Sequence, residues 1–133
     1  MIINNKNGMI INSKDIYLHD DYLLELHFFQ NSRHLILDFQ TFLDKTKYQI
    51  VFNNVIGIEM TAFDFWGELY PIRILDFNYV SLEKRKLIPI LIEKKKSFNN
   101  LIKIDEKDFI EVAFTFVTGD TLIIACQEIL YEK

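Results

Sequence analysis

The C-terminal third of the chain carries two strand-forming runs around a short turn, and this pattern constrains the fold more than any other feature. Residues 109–117 and 121–126 are mainly β-branched, aromatic or otherwise apolar, and Thr118, Gly119 and Asp120 separate them. Two such runs joined by a short segment that contains glycine predict a β-hairpin. Both faces of its strands are apolar. We therefore expect the hairpin to lie in the centre of a two-layer fold, or in a sheet covered on its far side.

A second hairpin is predicted in the first half of the chain, where residues 22–29 and 35–39 flank a polar turn. In the first of these runs, apolar side chains alternate with Glu25 and His27, which is the period of a β-strand. A helix over 20–29 is the alternative, because the leucines there also suit helical spacing. The partner run and the β-forming aromatic residues favour the hairpin.

The middle of the chain holds two further strand-forming runs, over 48–52 and 55–60. Asn53 and Asn54 interrupt them, and they indicate either a tight turn or a bulge within one bent strand. Gly57 indicates a bend or a close approach of another group to the backbone.

Weaker signals predict strands near the N-terminus and after the middle of the chain. Residues 2–3 and 9–11 flank Asn7 and Gly8, a pair that suits a type I′ turn, so a small N-terminal hairpin is expected. Residues 72–80 alternate in the manner of a strand.

The apolar run at 87–92 is also predicted to be a strand. Pro89 lacks a backbone N–H, so this strand is expected at a sheet edge or is interrupted there. Basic runs at 84–86 and 94–96 bracket it, and neighbouring glutamates balance them. We interpret these runs as solvated strand ends rather than as phosphate contacts, because they lack the interleaved aromatic residues that stack on bases.

The predicted elements define the fold class. About eight strands are separated by turn signals and not by helical patterns of the length found in βαβ units. Residues 1–133 are therefore expected to form a single all-β, mainly antiparallel domain, as a sandwich or a partly open barrel with at most one short helix. No linker or second domain is indicated.

Composition excludes several classes of protein. Half of the residues are apolar and 12 are Phe, which excludes a disordered chain. The net charge of −4 argues against a nucleic-acid partner, which normally requires a strongly basic surface. No apolar run approaches the ~20 residues that span a membrane, and the N-terminus does not follow the signal-peptide pattern. We expect a cytoplasmic protein without a membrane partner, in which the single cysteine, Cys126, is a buried and inert thiol.

No motif for catalysis, metal binding or cofactor binding emerges from the sequence. His19 and Asp20 are adjacent, but neighbouring side chains of a strand point to opposite faces, so they cannot hold one ion without a turn. Asp20 and Asp21 are better interpreted as residues that turn or cap the chain before the next strand. His27 and His34 could approach each other across the hairpin, but nothing in the sequence fixes their geometry. We expect no metal, no cofactor and a non-enzymatic function.

An acidic and aromatic segment in the middle of the chain is the predicted binding site. Its residues are Asp64, Trp66, Glu68 and Tyr70. Tryptophan and tyrosine are favoured anchor residues of protein interfaces, and carboxylates suit a basic partner. The same loop could line a pocket for a small molecule or a carbohydrate, or supply a carboxylate pair to a hydrolase. The structural alternative is that Trp66 only covers one end of the core.

Several segments in order along the chain resemble small bacterial β-rich proteins, some of which are immunity proteins of polymorphic toxin systems. The segments that carry the resemblance are Leu18-His19-Asp20, the Ile-Val-Phe-Asn-Asn-Val run at 50–55, Trp66, the run at 112–119, and Leu-Ile-Ile-Ala at 122–125. The resemblance implies a non-enzymatic cytoplasmic protein that inhibits a cognate toxin by direct binding. It assigns no functional residue and no oligomeric state.

Overall fold

The computed structural model describes residues 1–63, 71–97 and 104–133. Within them the chain forms nine strands in one antiparallel sheet, together with a single α-helix. The strands and the helix are β1 Ile2–Ile3, β2 Tyr22–Phe29, β3 His34–Gln40, β4 Lys47–Asn53, β5 Gly57–Met60, β6 Ile72–Tyr79, α1 Leu87–Ser97, β7 Ile110–Phe116, β8 Thr121–Cys126 and β9 Glu128–Glu132.

The sheet has the strand order β1-β9-β4-β3-β2-β6-β7-β8-β5 and consists of two halves. We call β1, β9, β4, β3 and β2 the open half-sheet, and β6, β7, β8 and β5 the covered half-sheet. Only two residue pairs, Tyr22 with Arg73 and Leu23 with Ile72, join β2 to β6. The two halves fold over a common core, but the sheet does not close into a barrel. The predicted all-β, mainly antiparallel fold with at most one short helix is confirmed.

Phe114 of β7 lies at the centre of that core and is fully buried. Its ring stacks on Phe77 of β6, with centroids 4.2 Å apart. Phe39 and Phe52, from β3 and β4 of the opposite half, approach the same ring to 5.8 and 6.3 Å. These contacts hold the two half-sheets face to face.

The C-terminal hairpin is confirmed as β7 and β8. Thr115 pairs with Thr121 at its end, and Gly119 adopts a φ of 87°, which glycine accommodates without steric cost. The apolar far side is also explained, because Leu87 and Ile88 of α1 pack with Ala125 of β8 in a second, smaller core. The hairpin thus lies in a sheet that is covered on both faces.

The predicted strand at 87–92 is wrong, since these residues begin α1. Proline is tolerated in the first turn of a helix, where the N–H groups have no partner inside the helix. Here Glu111 of β7, which is 1% exposed, supplies that partner. Its carboxylate accepts the backbone N–H groups of Lys86, Leu87 and Ile88 at 2.8, 3.0 and 2.8 Å. Pro89 has no N–H to satisfy, so it fits the next position.

The predicted N-terminal hairpin is also wrong. Ile2 and Ile3 pair with β9, and Gly8–Asn12 forms a 3-10 helix. Gly8 is required for close packing and not for a turn, because a Cβ built there would lie 2.5 Å from Cε2 of Tyr79.

The hairpin of the first half is confirmed as β2 and β3, with an irregular register between Leu23 and Glu25. Asn54, in the predicted turn, has a φ of 52° between β4 and β5. Gly57 lies where a close approach was expected, since an added Cβ would be 2.4 Å from Cδ1 of Leu91 on α1. Cys126 is buried as predicted, and burial raises the pKa of its thiol.

Asp21 is a buried carboxylate at the start of β2, with a side chain that is 5% exposed. The hydroxyl of Tyr48 donates to it at 2.6 Å, and Nζ of Lys133 does so at 2.7 Å. Burial, followed by the hydrogen bond to Asp21, raises the pKa of Tyr48. The folded state therefore holds the phenol proton more tightly than the unfolded state does.

We expect alkaline pH to destabilise the protein through Tyr48. Because the folded pKa is raised, its contribution is fully present below the ordinary tyrosine pKa of about 10 and decreases as the pH rises above that value. Tyr48→Phe should lower the free energy of unfolding at neutral pH by about 1.5–3 kcal/mol, the range for a hydrogen bond to a charged group. It should also flatten the loss between pH 9 and pH 11, measured by urea unfolding. Tyr17→Phe, at an exposed tyrosine, is the control and should change neither quantity.

Candidate partner-binding face

The predicted site residues Asp64, Trp66, Glu68 and Tyr70 lie outside the described residues. Their role in binding stays a prediction. The described residues present a different candidate surface, which is the outer face of the open half-sheet.

An apolar row crosses this outer face. Cross-strand pairing places Ile36 opposite Val51, Val51 opposite Leu130, and Leu130 opposite Ile2, so that the row spans β3, β4, β9 and β1. Leu130 is 37% exposed and Ile2 is 54% exposed, while Ile36 and Val51 are half-buried. The residues that alternate with this row, such as Leu35, Ile50 and Ile129, are buried in the core, so the apolar row faces outwards.

A polar and acidic row runs beside the apolar row. Glu25 lies opposite Asp38, Asp38 opposite Gln49, and Gln49 opposite Glu132. Nε2 of Gln49 donates to Oδ1 of Asp38 at 2.7 Å. The outer face therefore combines half-buried and exposed apolar side chains with three carboxylates.

His27 brings the two carboxylates of β2 and β3 into one cluster. Its Nε2 lies 2.8 Å from Oε2 of Glu25 and 3.3 Å from Oδ2 of Asp38. The unbroken register of the β2–β3 hairpin produces this arrangement, because it places Glu25 opposite Asp38 and His27 opposite Ile36, and the bulge at Leu24 lies beyond Glu25. Glu25 and His27 then project from the outer face, next to Asp38.

This cluster was not predicted, although the sequence contains a signal for it. The predicted turn at 30–33 leaves Phe29 opposite His34, and counting back along both strands places Glu25 opposite Asp38. His27 and His34 are not cross-strand partners, because His27 lies opposite Ile36 and His34 lies opposite Phe29.

His19 and Asp20 lie in a turn, and the turn at Asp20 was predicted. Asp21, which was predicted with it to turn or cap the chain, instead bonds to Tyr48 and Lys133. Asp20 has a φ of 69°, and its carboxylate lies 3.6 Å from Nε2 of His19 and 3.8 Å from Nη1 of Arg73. His19 Nδ1 also lies 2.9 Å from the carbonyl oxygen of Leu75. These contacts place the pair in the connection that leads into β2.

A groove of about 310 Å³ runs along the acidic row, where Glu25, Asp38, Lys47 and Gln49 contribute to its lining. The rings of Phe39 and Tyr48 beneath it are buried in the core. A carbohydrate site needs exposed aromatic faces in an enclosed pocket, so this groove does not favour the small-molecule hypothesis.

The comparisons with known proteins show the fold and no more. No family model matches the chain, and no curated protein does. Among solved structures, the chain is similar to an uncharacterized protein from Neisseria gonorrhoeae, with a TM-score of 0.56 and 15% sequence identity. The similarity covers 100% of this chain and 98% of the other. Among the described residues, no helix has the length and apolar character needed to cross a membrane. The architecture thus occurs in another protein at low sequence identity.

Proposed function

We propose that the protein is a non-enzymatic binding protein that contacts a basic protein partner through the outer face of the open half-sheet. In its most specific form, the proposal is an immunity protein that inhibits a cognate bacterial toxin in the cytoplasm. The observation that carries the proposal is the pair of adjacent rows on this face, with apolar Ile36, Val51 and Leu130 beside acidic Glu25 and Asp38.

The apolar row supports the proposal because the solvent face of an antiparallel sheet is ordinarily polar. Protein interfaces combine an apolar centre with a polar rim, which the two rows supply side by side. The covered half-sheet does not present such an apolar surface near α1, because Leu87 and Ile88 already pack on β8 there.

The carboxylates support a basic partner. Glu25, Asp38 and Glu132 lie along one row of the face, and the whole chain has a net charge of −4. Complementary charge accelerates association and fixes the orientation of the two proteins. A basic nuclease domain is the class of toxin that best fits such a surface. The acidic and aromatic segment with Asp64, Trp66, Glu68 and Tyr70 is a second predicted contact region.

A hydrolytic role is less well supported. Glu25 and Asp38 are close enough to act as a pair, but they lie on an open sheet face, where the side chain of Glu25 is 64% exposed. A general acid is normally held in an apolar site that keeps its carboxyl group protonated near neutral pH. The open position of this pair does not provide such a site.

Co-expression with the product of the adjacent gene tests the proposal. We expect a stable complex that co-purifies through size exclusion and whose formation suppresses the toxicity of that product. An adjacent product that is an unrelated metabolic enzyme and forms no complex contradicts the immunity proposal. A complex that forms without any change in toxicity supports binding but contradicts inhibition.

A further inference from the structure

We propose that Glu25, His27 and Asp38 form a binding site for a first-row divalent cation, with Zn²⁺ as the reference ion. The proposal goes beyond partner binding, because it concerns the isolated protein and three side chains of the β2–β3 hairpin.

The geometry of the cluster matches metal coordination. One nitrogen and two carboxylate oxygens, one from each residue, lie within 4.8 Å of one another. Ligand atoms about 2.1 Å from a divalent ion are separated by about 3.0 Å in octahedral and about 3.4 Å in tetrahedral coordination. The two distances from His27 Nε2, 2.8 Å to Glu25 and 3.3 Å to Asp38, are close to these values. Small side-chain rotations would therefore admit the ion.

A fourth residue orients one of the ligands. Gln49, on the neighbouring strand β4, donates its side-chain amide to Oδ1 of Asp38 at 2.7 Å and leaves Oδ2 directed at His27. Ligating carboxylates in metalloproteins are commonly held by an outer hydrogen bond of this kind. The hydrogen bond comes from outside the three ligands, and it orients Asp38 before an ion is present.

The charges of the cluster also favour a cation. Glu25 and Asp38 lie directly opposite each other across an antiparallel pair, where like charges destabilise the sheet. Among the described residues, neither carboxylate forms an ion pair with a lysine or an arginine, and each has a contact with His27. A bound dication would neutralise both carboxylates at once.

The donor set narrows the class of ion. Imidazole nitrogen suits Zn²⁺ and related first-row ions, whereas calcium sites are built from oxygen ligands alone. Three protein ligands leave at least one coordination position open, as in metal sites that take a further ligand. The side chains of Glu25 and His27 are 64% and 45% exposed, so this position faces solvent.

Calorimetric titration of tag-free, metal-stripped protein with Zn²⁺ tests the site. We expect one ion per chain, with affinity reduced at least about tenfold by His27→Ala and by Asp38→Asn, and about tenfold by Gln49→Ala through loss of orientation. His34→Ala is the matched control, because His34 lies on the same hairpin and bonds to Ser32 instead.

Cobalt provides a second readout, because its absorption reports the ligands around the ion directly. Co²⁺ bound by the wild type should show ligand-field absorption that disappears in His27→Ala and persists in His34→Ala. The absence of saturable binding of one ion per chain overturns the proposal. Equal Zn²⁺ affinity in the wild type and in His27→Ala also overturns the proposal. The same holds if His34→Ala loses as much Zn²⁺ affinity as His27→Ala does. The outcome does not depend on any protein partner, so it is separable from the test of the proposed function.

Discussion

Phe114→Ala is expected to lower the free energy of unfolding by about 3–5 kcal/mol, the range for removing a buried phenylalanine ring. Phe114 is fully buried and lies against rings from both half-sheets, with Phe77 at 4.2 Å and Phe39 at 5.8 Å. Its removal leaves a cavity where the two halves meet, and rigid sheet backbones close such a cavity only in part. Urea unfolding followed by circular dichroism measures the change.

Phe28→Ala is the matched control for this substitution. It removes the same ring from β2, where Phe28 is 45% exposed, and should cost no more than about 1 kcal/mol. Equal losses for the two variants would contradict a core in which the half-sheets pack on each other at Phe114.

Glu111→Ala is expected to lower the free energy of unfolding by about 3 kcal/mol and to release the first turn of α1. The substitution removes the acceptor for three backbone N–H groups, and hydrogen bonds to a charged group contribute about 1.5–3 kcal/mol each. The lost desolvation penalty of the buried carboxylate offsets part of that sum. Hydrogen exchange should become faster at Leu87 and Ile88, whose N–H groups lose their partner.

Two further variants test whether the loss of stability in Glu111→Ala comes from its hydrogen bonds to α1. Glu59→Ala removes an exposed glutamate from β5 of the same half-sheet and should change stability by less than about 0.5 kcal/mol. Glu111→Gln keeps an oxygen acceptor for Leu87 and Ile88 and places an amide NH₂ opposite only the Lys86 N–H, so its cost should be smaller than that of Glu111→Ala. Unchanged exchange at Ile88 in Glu111→Ala would show that the helix start does not depend on this carboxylate.

The parts of the fold that depend on local pattern were predictable from the sequence. The β2–β3 and β7–β8 hairpins each consist of two alternating runs around a polar turn, so their pairing partners are near in the chain. The apolar far side of β7 and β8 also predicted a covered sheet, which α1 provides.

The errors arose where a distant residue decides the local structure. The run at 87–92 resembles a strand because it is rich in β-branched residues, and it becomes helical because Glu111 caps its start from 24 positions later along the chain. Likewise, Ile2 and Ile3 pair with β9 at the other end of the chain and not with their neighbours. The secondary-structure propensities of a local segment carry no information about such long-range contacts.

The outer face of the open half-sheet was not predictable from local pattern. The predicted binding segment with Asp64 and Trp66 follows from composition and stays a prediction, whereas the outer face depends on strand register. Ile36, Val51 and Leu130 come from three strands, and only their pairing brings them into one row. The pattern of each strand alone shows an ordinary outward apolar residue, which carries no signal by itself.

The affinity of two matched surface variants for the partner tests whether the open half-sheet is the binding face. Leu130 on the open half-sheet and Leu75 on β6 of the covered half-sheet are 37% and 40% exposed, so Leu→Arg perturbs the two strands to a similar degree. For the complex with the adjacent gene product, Leu130→Arg should weaken binding at least about 30-fold, the effect of losing an interface hot spot. Leu75→Arg should leave the dissociation constant unchanged. Unaltered affinity in Leu130→Arg, with full folding of both variants, would contradict binding through the open half-sheet.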